Sequence, residues 1–285
     1  MAESFFGRRS VCPTILNQRR RVFRLTNMTR KLPSALEHVH EIAIRGRQLA
    51  VFLDYDGTLT PIVNRPENAL LSDSMREAVR ALATRVPVAI LSGRDLDDVR
   101  QRVNIDAIAY AGSHGFDIAG PLGLRKQVAT ECLPILDAAE KELRQKLAGI
   151  PGELVDRKRF SVAAHYRNVD ENDVERVERI VNEVAARHRE LRKIENKKVY
   201  ELQPDIDWNK GRALIWLLES LGLDRKEVFP IYIGDDRTDE DAFGAIPQRG
   251  AGILVSEQPR ATGASYSLKN PAEVGKFLRA LTALL

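Results

Sequence analysis

One short segment constrains the fold of this chain more than any other: the apolar run Leu49–Leu53 ends directly at two carboxylates, Asp54 and Asp56. A short apolar run closed by polar residues is typical of a buried strand in a parallel sheet. Side chains two residues apart point to the same side of an extended backbone. Both carboxylates therefore face one small volume, and Gly57 lets the chain turn away without filling it. The segment predicts an α/β fold with a ligand site at the carboxyl edge of the sheet.

The carboxylate pair also indicates a chemistry. Two anions held this close repel one another, and removing them from water raises the cost. A hard cation bound by oxygen ligands, such as Mg²⁺, would remove the conflict. One carboxylate could then attack phosphorus while the other serves as general acid and base. The simpler interpretation is a solvated turn, since Asp and Gly favour turns, but further motifs in a consistent order favour the catalytic one.

Composition and charge exclude several classes of protein. The 285 residues suffice for a sizeable core and more than one domain, and no apolar run approaches the length of a membrane span. The net charge is +4, but residues 1–31 hold eight basic residues and one acid, which leaves −3 for the rest. We therefore expect no nucleic-acid binding by the folded part, and a monomer. Of the two cysteines, Cys12 lies in the basic tail, so a structural disulfide is not expected, which fits the cytoplasm.

The Arg-rich segment 1–31 leaves three interpretations open. It lacks the apolar centre of a secretory signal. It is Arg-rich and acid-poor like an organelle transit peptide, although it is poor in Ser. It is also consistent with a disordered arm or with translated sequence upstream of the true start, and we favour these two. The ordered protein is predicted to begin near Leu32.

Strands and helices alternate in the first and last parts of the chain, which predicts a doubly wound parallel sheet over residues 32–115 and 205–285. The predicted core strands are Leu49–Leu53, Val86–Leu91, Ile105–Ala111, Phe229–Ile233, Ile253–Val255 and Ser265–Leu268. The predicted core helices are Ala35–Arg45, Ser72–Thr84, Asp95–Val103, Lys210–Leu221, Asp239–Ala245 and Ala272–Leu284.

The pattern changes between residues 116 and 204, where we predict an inserted α+β cap domain. After a glycine-rich loop and hairpin at Gly112–Gly123, two amphipathic helices are predicted at Pro134–Leu147 and Val174–Arg189. Strands are predicted at Leu154–Arg167 and Lys198–Leu202. In the first of these, alternation places Phe160, Val162, Ala164 and Tyr166 on one face and Ser161, Ala163, His165 and Arg167 on the other.

Two further motifs lie where the predicted core would bind an anion. Ser92-Gly93-Arg94 follows the second apolar strand and precedes a helix. A hydroxyl and backbone N–H groups at a helix start can bind phosphate, and Arg offers a planar fork to phosphate or sugar oxygens. An ordinary helix cap is the alternative for Ser92. Lys210 begins a helix on return to the core and can offset negative charge between nucleophile and phosphoryl group, although most lysines are solvated.

The segment Ile231–Asp241 carries five acids within seven residues at the end of an apolar strand. Oxygen-rich clusters of this kind suit Mg²⁺. An alternative is that the acids favour the dipole at the start of the following helix. This accounts for Glu240 and Asp241, but less well for Asp235 and Asp236, which follow the strand directly. His114 lies where core meets cap, and either a substrate contact or a structural role remains open for it.

The order of these motifs resembles the haloacid dehalogenase superfamily of aspartate-nucleophile phosphotransferases, and within it the trehalose-6-phosphate phosphatases much more closely. The resemblance implies a Rossmannoid core and covers the chain from about Leu32 to its end. The stretches that carry it are Phe52–Leu59, Leu91–Val99, Gly112–Gly115, Asp156–Lys158 with His165–Arg167, Val199–Pro204 with Asn209–Gly211, and Gly234–Phe243.

The resemblance implies roles for individual residues. Asp54 would be the nucleophile and Asp56 the acid and base, while Ser92 and Lys210 would hold the phosphoryl group. Mg²⁺ would lie between Asp54, the backbone carbonyl of Asp56 and Asp235. Asp239 would stand in its outer shell. The disaccharide would be contacted by Gly93, Arg94, His114, Lys158, His165 and Glu201. Asp156 departs from the pattern, since related sequences usually carry Glu there.

Three alternatives to a trehalose 6-phosphate phosphatase stay open. One is another capped sugar phosphatase, acting on sucrose 6-phosphate or a mannosyl phosphate, and the cap residues around Lys158–Arg167 and Glu201 would discriminate between these. A second is a non-catalytic sensor of a phosphosugar, against which the complete set of Asp54, Asp56 and Asp235 argues. A phosphomutase is the third and is less favoured, because the cap is large and rich in polar groups.

Overall fold

The structure, a computed structural model, describes residues 31–63, 65–196 and 198–285. The basic extension predicted over residues 1–31 therefore lies outside the described residues except for Lys31. Over the described residues the chain forms twelve strands and eight α-helices. The strands are β1 Gln48–Leu53, β2 Val88–Leu91, β3 Ala109–Gly112, β4 Asp117–Ala119, β5 Arg125–Gln127, β6 Leu154–Lys158, β7 Ser161–His165, β8 Leu191–Asn196, β9 Val199–Pro204, β10 Val228–Gly234, β11 Ala251–Val255 and β12 Tyr266–Leu268. The helices are α1 Val39–Ala43, α2 Asp73–Ala83, α3 Leu96–Val103, α4 Leu133–Leu147, α5 Glu171–Arg187, α6 Lys210–Ser220, α7 Asp239–Ala245 and α8 Pro271–Leu284.

The core is an eight-stranded sheet in the order β12-β11-β10-β1-β2-β3-β4-β5. The strands from β12 to β3 run parallel, and β4 and β5 extend the sheet antiparallel. The chain starts at β1, moves to β2 and β3 on one side, and later returns at β10 on the other. Such a reversal of strand order opens a crevice at the carboxyl ends of the two central strands. Asp54 follows β1 and Asp235 follows β10, so both lie at this crevice.

Helices cover both faces of the core sheet. Apolar side chains of α1, α2, α3 and α8 pack against one face, and those of α6 and α7 against the other. In α2 the buried positions Met75, Val79 and Leu82 recur at helical spacing, and Ser72 caps the helix by accepting a hydrogen bond from the Met75 amide. The doubly wound α/β fold predicted from the sequence is thus confirmed.

The cap is a four-stranded antiparallel sheet in the order β6-β7-β9-β8 with α4 and α5 packed on one face. Its other face turns towards the core. Ala163 of β7 pairs directly with Glu201 of β9. Side chains alternate between the two faces of a strand, and these two paired side chains lie on the face towards the core. Within the described part of the chain, no helix has both the length and the apolar character needed to cross a bilayer.

Several predicted boundaries were wrong. The segment Leu154–Arg167 is a hairpin of β6 and β7, because Phe160 leaves the strand at the turn and packs against Phe116 and Cys132. The cap domain was predicted to begin at residue 116, but β4 and β5, which follow that residue, pair with the core sheet. The helix predicted at Ala35–Arg45 is helical only over α1. Strand β8 was not predicted, since it is rich in charged residues.

Candidate active site

The carboxylate of Asp54 lies at the end of β1, buried beside the ammonium group of Lys210. The Lys210 Nζ is 2.7 Å from Asp54 Oδ1 and 2.8 Å from Asp239 Oδ1. Lys210 is the first residue of α6, and Asn209 caps this helix by accepting a hydrogen bond from the Arg212 amide. Burial alone would lower the pKa of the Lys210 amine, but the neighbouring carboxylates raise it well above its usual range. The lysine is therefore charged in the folded protein.

Asp239 is fully buried behind this pair and is held from several sides. Besides Lys210, it accepts hydrogen bonds from the Tyr232 hydroxyl at 2.6 Å and from the backbone amides of Asp235 and Asp236 at 2.9 and 3.0 Å. These donors fix the loop that follows β10. They also satisfy most of the accepting capacity of the Asp239 carboxylate, which is consistent with the outer-shell position predicted for it.

The carboxylates of Asp54, Asp235 and Asp239 have oxygens within 4.8 Å of one another. Desolvation by burial, together with the neighbouring carboxylates, raises the pKa of Asp54 well above its ordinary value and that of Asp235 to about 7. Among the described residues, the buried Asp235 Oδ1 has no hydrogen-bond partner. Crowded carboxylate oxygens with an unsatisfied member form a donor set that suits a hard divalent cation.

Asp56 lines the same cavity as Asp54 and is bound by Arg94. The Arg94 Nε and Nη2 each donate to one oxygen of Asp56 at 2.7 Å, and Nη1 donates to Asp98 Oδ2 at 2.8 Å. Burial acts to lower the pKa of Arg94, but the hydrogen bonds that it donates to Asp56 and Asp98 raise it. Arg94 was predicted to contact the sugar. It does line the cavity, but its guanidinium forms a two-pronged ion pair with the predicted acid and base.

Ser92 and Gly93 lie beside this pair, with Gly93 on the cavity wall and Ser92 buried behind it. Ser92 is fully buried, and its Oγ accepts a hydrogen bond from the Arg94 amide at 3.1 Å, which leaves its own proton to donate. A side chain at Gly93 would meet His114, with a Cβ 2.7 Å from His114 Cε1. The sequence motif therefore needs glycine for close packing as well as for any substrate contact.

His114 occupies a backbone conformation with φ +57, directly after Ser113 with φ +49. Two consecutive non-glycine residues in the left-handed region are strained, and such strain is concentrated at functional sites. Burial lowers the pKa of His114, against the opposing charge of Glu201. The imidazole Nδ1 is buried and, within the part of the chain that the structure describes, lacks a hydrogen-bond partner.

The cap contributes a buried carboxylate, Glu201, to the opposite wall. It accepts hydrogen bonds from the Ser161 hydroxyl and from Lys158 Nζ, the latter at 3.3 Å, and lies 4.0 Å from His114 Nε2. Burial alone would raise the pKa of Glu201, but Lys158 and His114 hold it at about 2. Lys158 also reaches the Gly93 carbonyl of the core at 3.4 Å, so this network joins cap to core.

Between the two domains lies a cavity of about 540 Å³ that brings most predicted site residues together. Ser92 and Asp239 are fully buried and stand behind its wall. His165 and Asp156 both line the cavity. The Nε2 atom of His165 lies 3.9 Å from Oδ2 of Asp156. The predicted residues on the wall are Asp54, Asp56, Gly93, Arg94, His114, Lys158, His165, Glu201 and Lys210.

Asp98, Arg102 and Ser161 were not predicted from the sequence as site residues. Asp98 and Arg102 line the cavity and lie one and two helical turns after Arg94. Their alternating charges at this spacing were the available signal. Ser161 was placed on the correct face of its strand, but its contact with Glu201 depends on a neighbouring strand that is distant in sequence.

A doubly wound core with carboxylates at its central crevice, closed by an α+β cap, is the architecture of haloacid dehalogenase-like hydrolases. The family model described as trehalose-phosphatase matches residues 52–272. The chain belongs to the trehalose-phosphatase family.

Individual relatives agree with this assignment. The "Probable trehalose-phosphate phosphatase D" of Arabidopsis thaliana is 47% identical over 264 residues, which cover 87% of this chain and 72% of the relative. Trehalose 6-phosphate phosphatase RA3 of Zea mays is 44% identical over 88% of this chain and 75% of its own. The fold is similar to the C-terminal domain of the C. albicans trehalose-6-phosphate phosphatase, with a TM-score of 0.74 at 22% identity over 89% of this chain and 99% of that one.

Proposed function

We propose that this chain hydrolyses trehalose 6-phosphate to trehalose and phosphate, with Mg²⁺ as its cofactor. The observation that carries the proposal is the buried carboxylate of Asp54, which lies 2.7 Å from Lys210 at the floor of a cavity whose cap wall presents carboxylate, ammonium and imidazole groups. Pure binding of a phosphosugar needs no buried nucleophile with an acid and base beside it. The arrangement therefore favours an enzyme over a sensor.

In the first chemical step, an Asp54 carboxylate oxygen attacks phosphorus and the bond between phosphorus and the sugar oxygen breaks. Asp56 enters this step in its protonated form and donates its proton to the departing sugar oxygen, which leaves as the free hydroxyl of trehalose. In the second step Asp56 removes a proton from water, and that water attacks the phosphorus of the aspartyl phosphate. Inorganic phosphate leaves and the Asp54 carboxylate is restored.

Charged residues around the nucleophile hold the phosphoryl group. Lys210 offsets negative charge shared between Asp54 and the phosphoryl oxygens, and electrostatic stabilisation of this kind supplies much of the catalysis of phosphoryl transfer. The Ser92 hydroxyl is buried behind the cavity wall and supports the Arg94 backbone amide, so it acts on the phosphoryl site through Arg94. Arg94 holds both oxygens of Asp56, so that this carboxylate keeps one orientation towards the cavity.

The carboxylates of Asp54 and Asp235, with the backbone carbonyl of Asp56, would hold Mg²⁺, and Asp239 would support them from behind. The crowding of these carboxylates and the unsatisfied Asp235 oxygen fit such a cation. When bound, the ion supplies positive charge to the transferring phosphoryl group. Lys210 would add a second positive charge beside Asp54.

The cap wall accounts for sugar recognition. Glu201 and Lys158 offer an acceptor and a donor held close to the His114 imidazole, and His165 and Asp156 extend the polar wall outwards. Sugar hydroxyls both donate and accept hydrogen bonds, so a wall that alternates acceptors and donors fits them. Asp156 stands where the resemblance implies Glu, and its side chain is one carbon shorter.

The proposal is tested by phosphate release from trehalose 6-phosphate, sucrose 6-phosphate and a mannosyl phosphate, with Mg²⁺ or with a chelator. We expect release from trehalose 6-phosphate in Mg²⁺, and its loss in Asp54→Asn and with the chelator. Asp106→Asn, an exposed carboxylate before β3, is the matched control and should behave like wild type. Preference for a different sugar phosphate would replace the substrate and keep the mechanism. Near-wild-type turnover in Asp54→Asn would refute the nucleophile.

We also propose that the enzyme acts as a monomer in the cytoplasm, without a nucleic-acid partner. The cavity and the carboxylate cluster are built from residues of one chain, which supports a self-sufficient protomer. Sedimentation equilibrium at the concentration used for assays measures the mass directly. A dimer with undiminished activity would contradict the first part of this proposal, and fluorescent tagging of the full-length chain in cells tests the second.

A further inference from the structure

Asp98 stands between two arginines on the wall of the cavity. It lies on α3 one turn after Arg94 and one turn before Arg102. Its Oδ2 accepts from Arg94 Nη1 at 2.8 Å and its Oδ1 accepts from Arg102 Nε at 2.7 Å. Each oxygen of one carboxylate thus binds a different guanidinium. Neither the comparisons nor the motif order gives this carboxylate a role.

On one side, this carboxylate completes the hold on Arg94. Arg94 presents Nε and Nη2 to Asp56, and Asp98 takes the remaining terminal nitrogen, Nη1. The guanidinium also lies over the Tyr55 ring, with its carbon 5.3 Å from the ring centre. Because a planar guanidinium bound along two edges cannot rotate without breaking hydrogen bonds, Asp98 fixes the plane in which Asp56 is presented.

On the other side, Asp98 is connected through Arg102 to residues 67–69, next to the cavity. Arg102 Nη1 donates to the carbonyls of Glu67 and Ala69, each at 3.2 Å. The Ala69 carbonyl also accepts from the Tyr55 hydroxyl at 2.9 Å. Glu67 itself lies on the cavity wall. Arg102 therefore ties residues 67–69 to the helix that carries Asp98.

We propose that Asp98 is a positioning residue for proton transfer: by binding Arg94 and Arg102 together, it aligns Asp56 with the leaving oxygen and holds residues 67–69 against its own helix. The inference rests on the proposed function, since it takes Asp56 to be the acid. Asp98 acts through Arg94, and the effect of its loss should appear where proton donation matters. A purely stabilising ion pair would affect all substrates alike.

The leaving group separates these two cases. A sugar oxygen is a poor leaving group and needs a proton as its bond to phosphorus breaks, whereas 4-nitrophenolate leaves without one. The ratio kcat/KM reports the steps up to the first irreversible one, here departure of the leaving group. Misalignment of Asp56 should therefore lower kcat/KM for trehalose 6-phosphate and spare 4-nitrophenyl phosphate.

The experiment compares Asp98→Asn with wild type in saturating Mg²⁺. Asn keeps the shape of the side chain but removes the charge and one acceptor. Because general acid catalysis contributes 10²–10⁴-fold, partial misalignment should lower kcat/KM for the sugar phosphate by about tenfold, and that for 4-nitrophenyl phosphate by less than about threefold. Asp97→Asn, the exposed neighbour on α3, is the matched control and should leave both values unchanged. Asp98→Glu should recover part of the loss.

The outcomes are distinct. Equal losses on both substrates, or no loss on either, would overturn the role of Asp98 while trehalose 6-phosphate turnover by wild type upholds the proposed function. A wild-type enzyme inactive on every sugar phosphate would overturn the proposed function, and this inference with it. If Asp98→Asn melts well below wild type, Asp98→Glu decides: a selective deficit on the sugar phosphate supports the proposal, and an unselective one contradicts it.

Discussion

Replacing Lys210 with Met should destabilise the protein by removing the cation from a buried anionic cluster. Met preserves most of the length and volume of the side chain, so the change isolates the charge. The Lys210 side chain is 2% exposed, and its partners Asp54 and Asp239 are 6% and 0% exposed. Solvent therefore cannot replace the lost ammonium, and the two carboxylates are left facing one another.

The size of the effect follows from this burial. Removing one partner of a buried ion pair costs roughly 3–5 kcal/mol, because the other charge is left uncompensated. Asp54 already has a raised pKa, so it can take up a proton once the lysine is gone and limit the loss. We therefore expect the free energy of unfolding to fall by about 3 kcal/mol at pH 7.

Urea denaturation in the presence of a chelator measures this difference, followed by circular dichroism and by tryptophan fluorescence so that coincident transitions justify a two-state analysis. Lys276→Met is the matched control, since Lys276 is an exposed lysine on α8, and it should stay within about 0.5 kcal/mol of wild type. In an Asp54→Asn background the cost of losing Lys210 should shrink by more than about 1 kcal/mol. A loss equal to that of the control would refute the reasoning from burial.

Three further predictions concern the cap carboxylate and the turn after the nucleophile. The pKa of Glu201 is about 2 against an ordinary 4.5, so the stability that its charge contributes is complete above pH 4.5 and is lost as the pH falls towards 2. Over that window, the free energy of unfolding measured in urea should fall by up to about 3 kcal/mol more for wild type than for Glu201→Gln. Parallel curves for the two proteins would contradict this. Glu201→Ala should raise KM for trehalose 6-phosphate at least about tenfold while leaving KM for 4-nitrophenyl phosphate nearly unchanged, because it removes one buried charged hydrogen bond; equal changes would rule out a sugar contact. Gly57→Ala should abolish Mg²⁺-dependent turnover, because residue 57 has φ +83 and a Cβ there would collide with the Asp235 carboxylate. Gly244→Ala is the control, since a Cβ at that position meets open space, and its turnover should be unchanged. Turnover of Gly57→Ala within about twofold of wild type would contradict the prediction.

The core of the site could be predicted because its geometry follows from the chain's local pattern. An apolar strand ends at Asp54, and another ends at Asp235. Carboxyl ends of neighbouring parallel strands meet at one edge of the sheet, so their convergence needed only the strand order. The apolar faces of α2 and α5 were equally readable, since helical periodicity depends on local sequence alone.

The parts that were missed depend on contacts between distant segments. Arg94 has the chemistry to bind a sugar, but the structure pairs it with Asp56, 38 residues earlier in the chain. Phe160 fits the alternation of a strand, yet a separate apolar cluster draws it out into a turn. Strand β8 has few apolar residues because it lies at the edge of the cap sheet, where pairing with β9 rather than burial decides its conformation.

The strand order, in which β10 lies beside β1, affects the order in which the parts of the enzyme fold during synthesis. The proposed nucleophile Asp54 leaves the ribosome early, while its partner Lys210 follows 156 residues later, because synthesis runs from the N-terminus. The cap strands pair largely with near neighbours in sequence, so the cap can form while the core is still open. Pairing of β1 with β10 must then close a long loop, which is intrinsically slow. The catalytic centre is thus among the last parts of the molecule to form, and a nascent chain that ends within the cap cannot release phosphate.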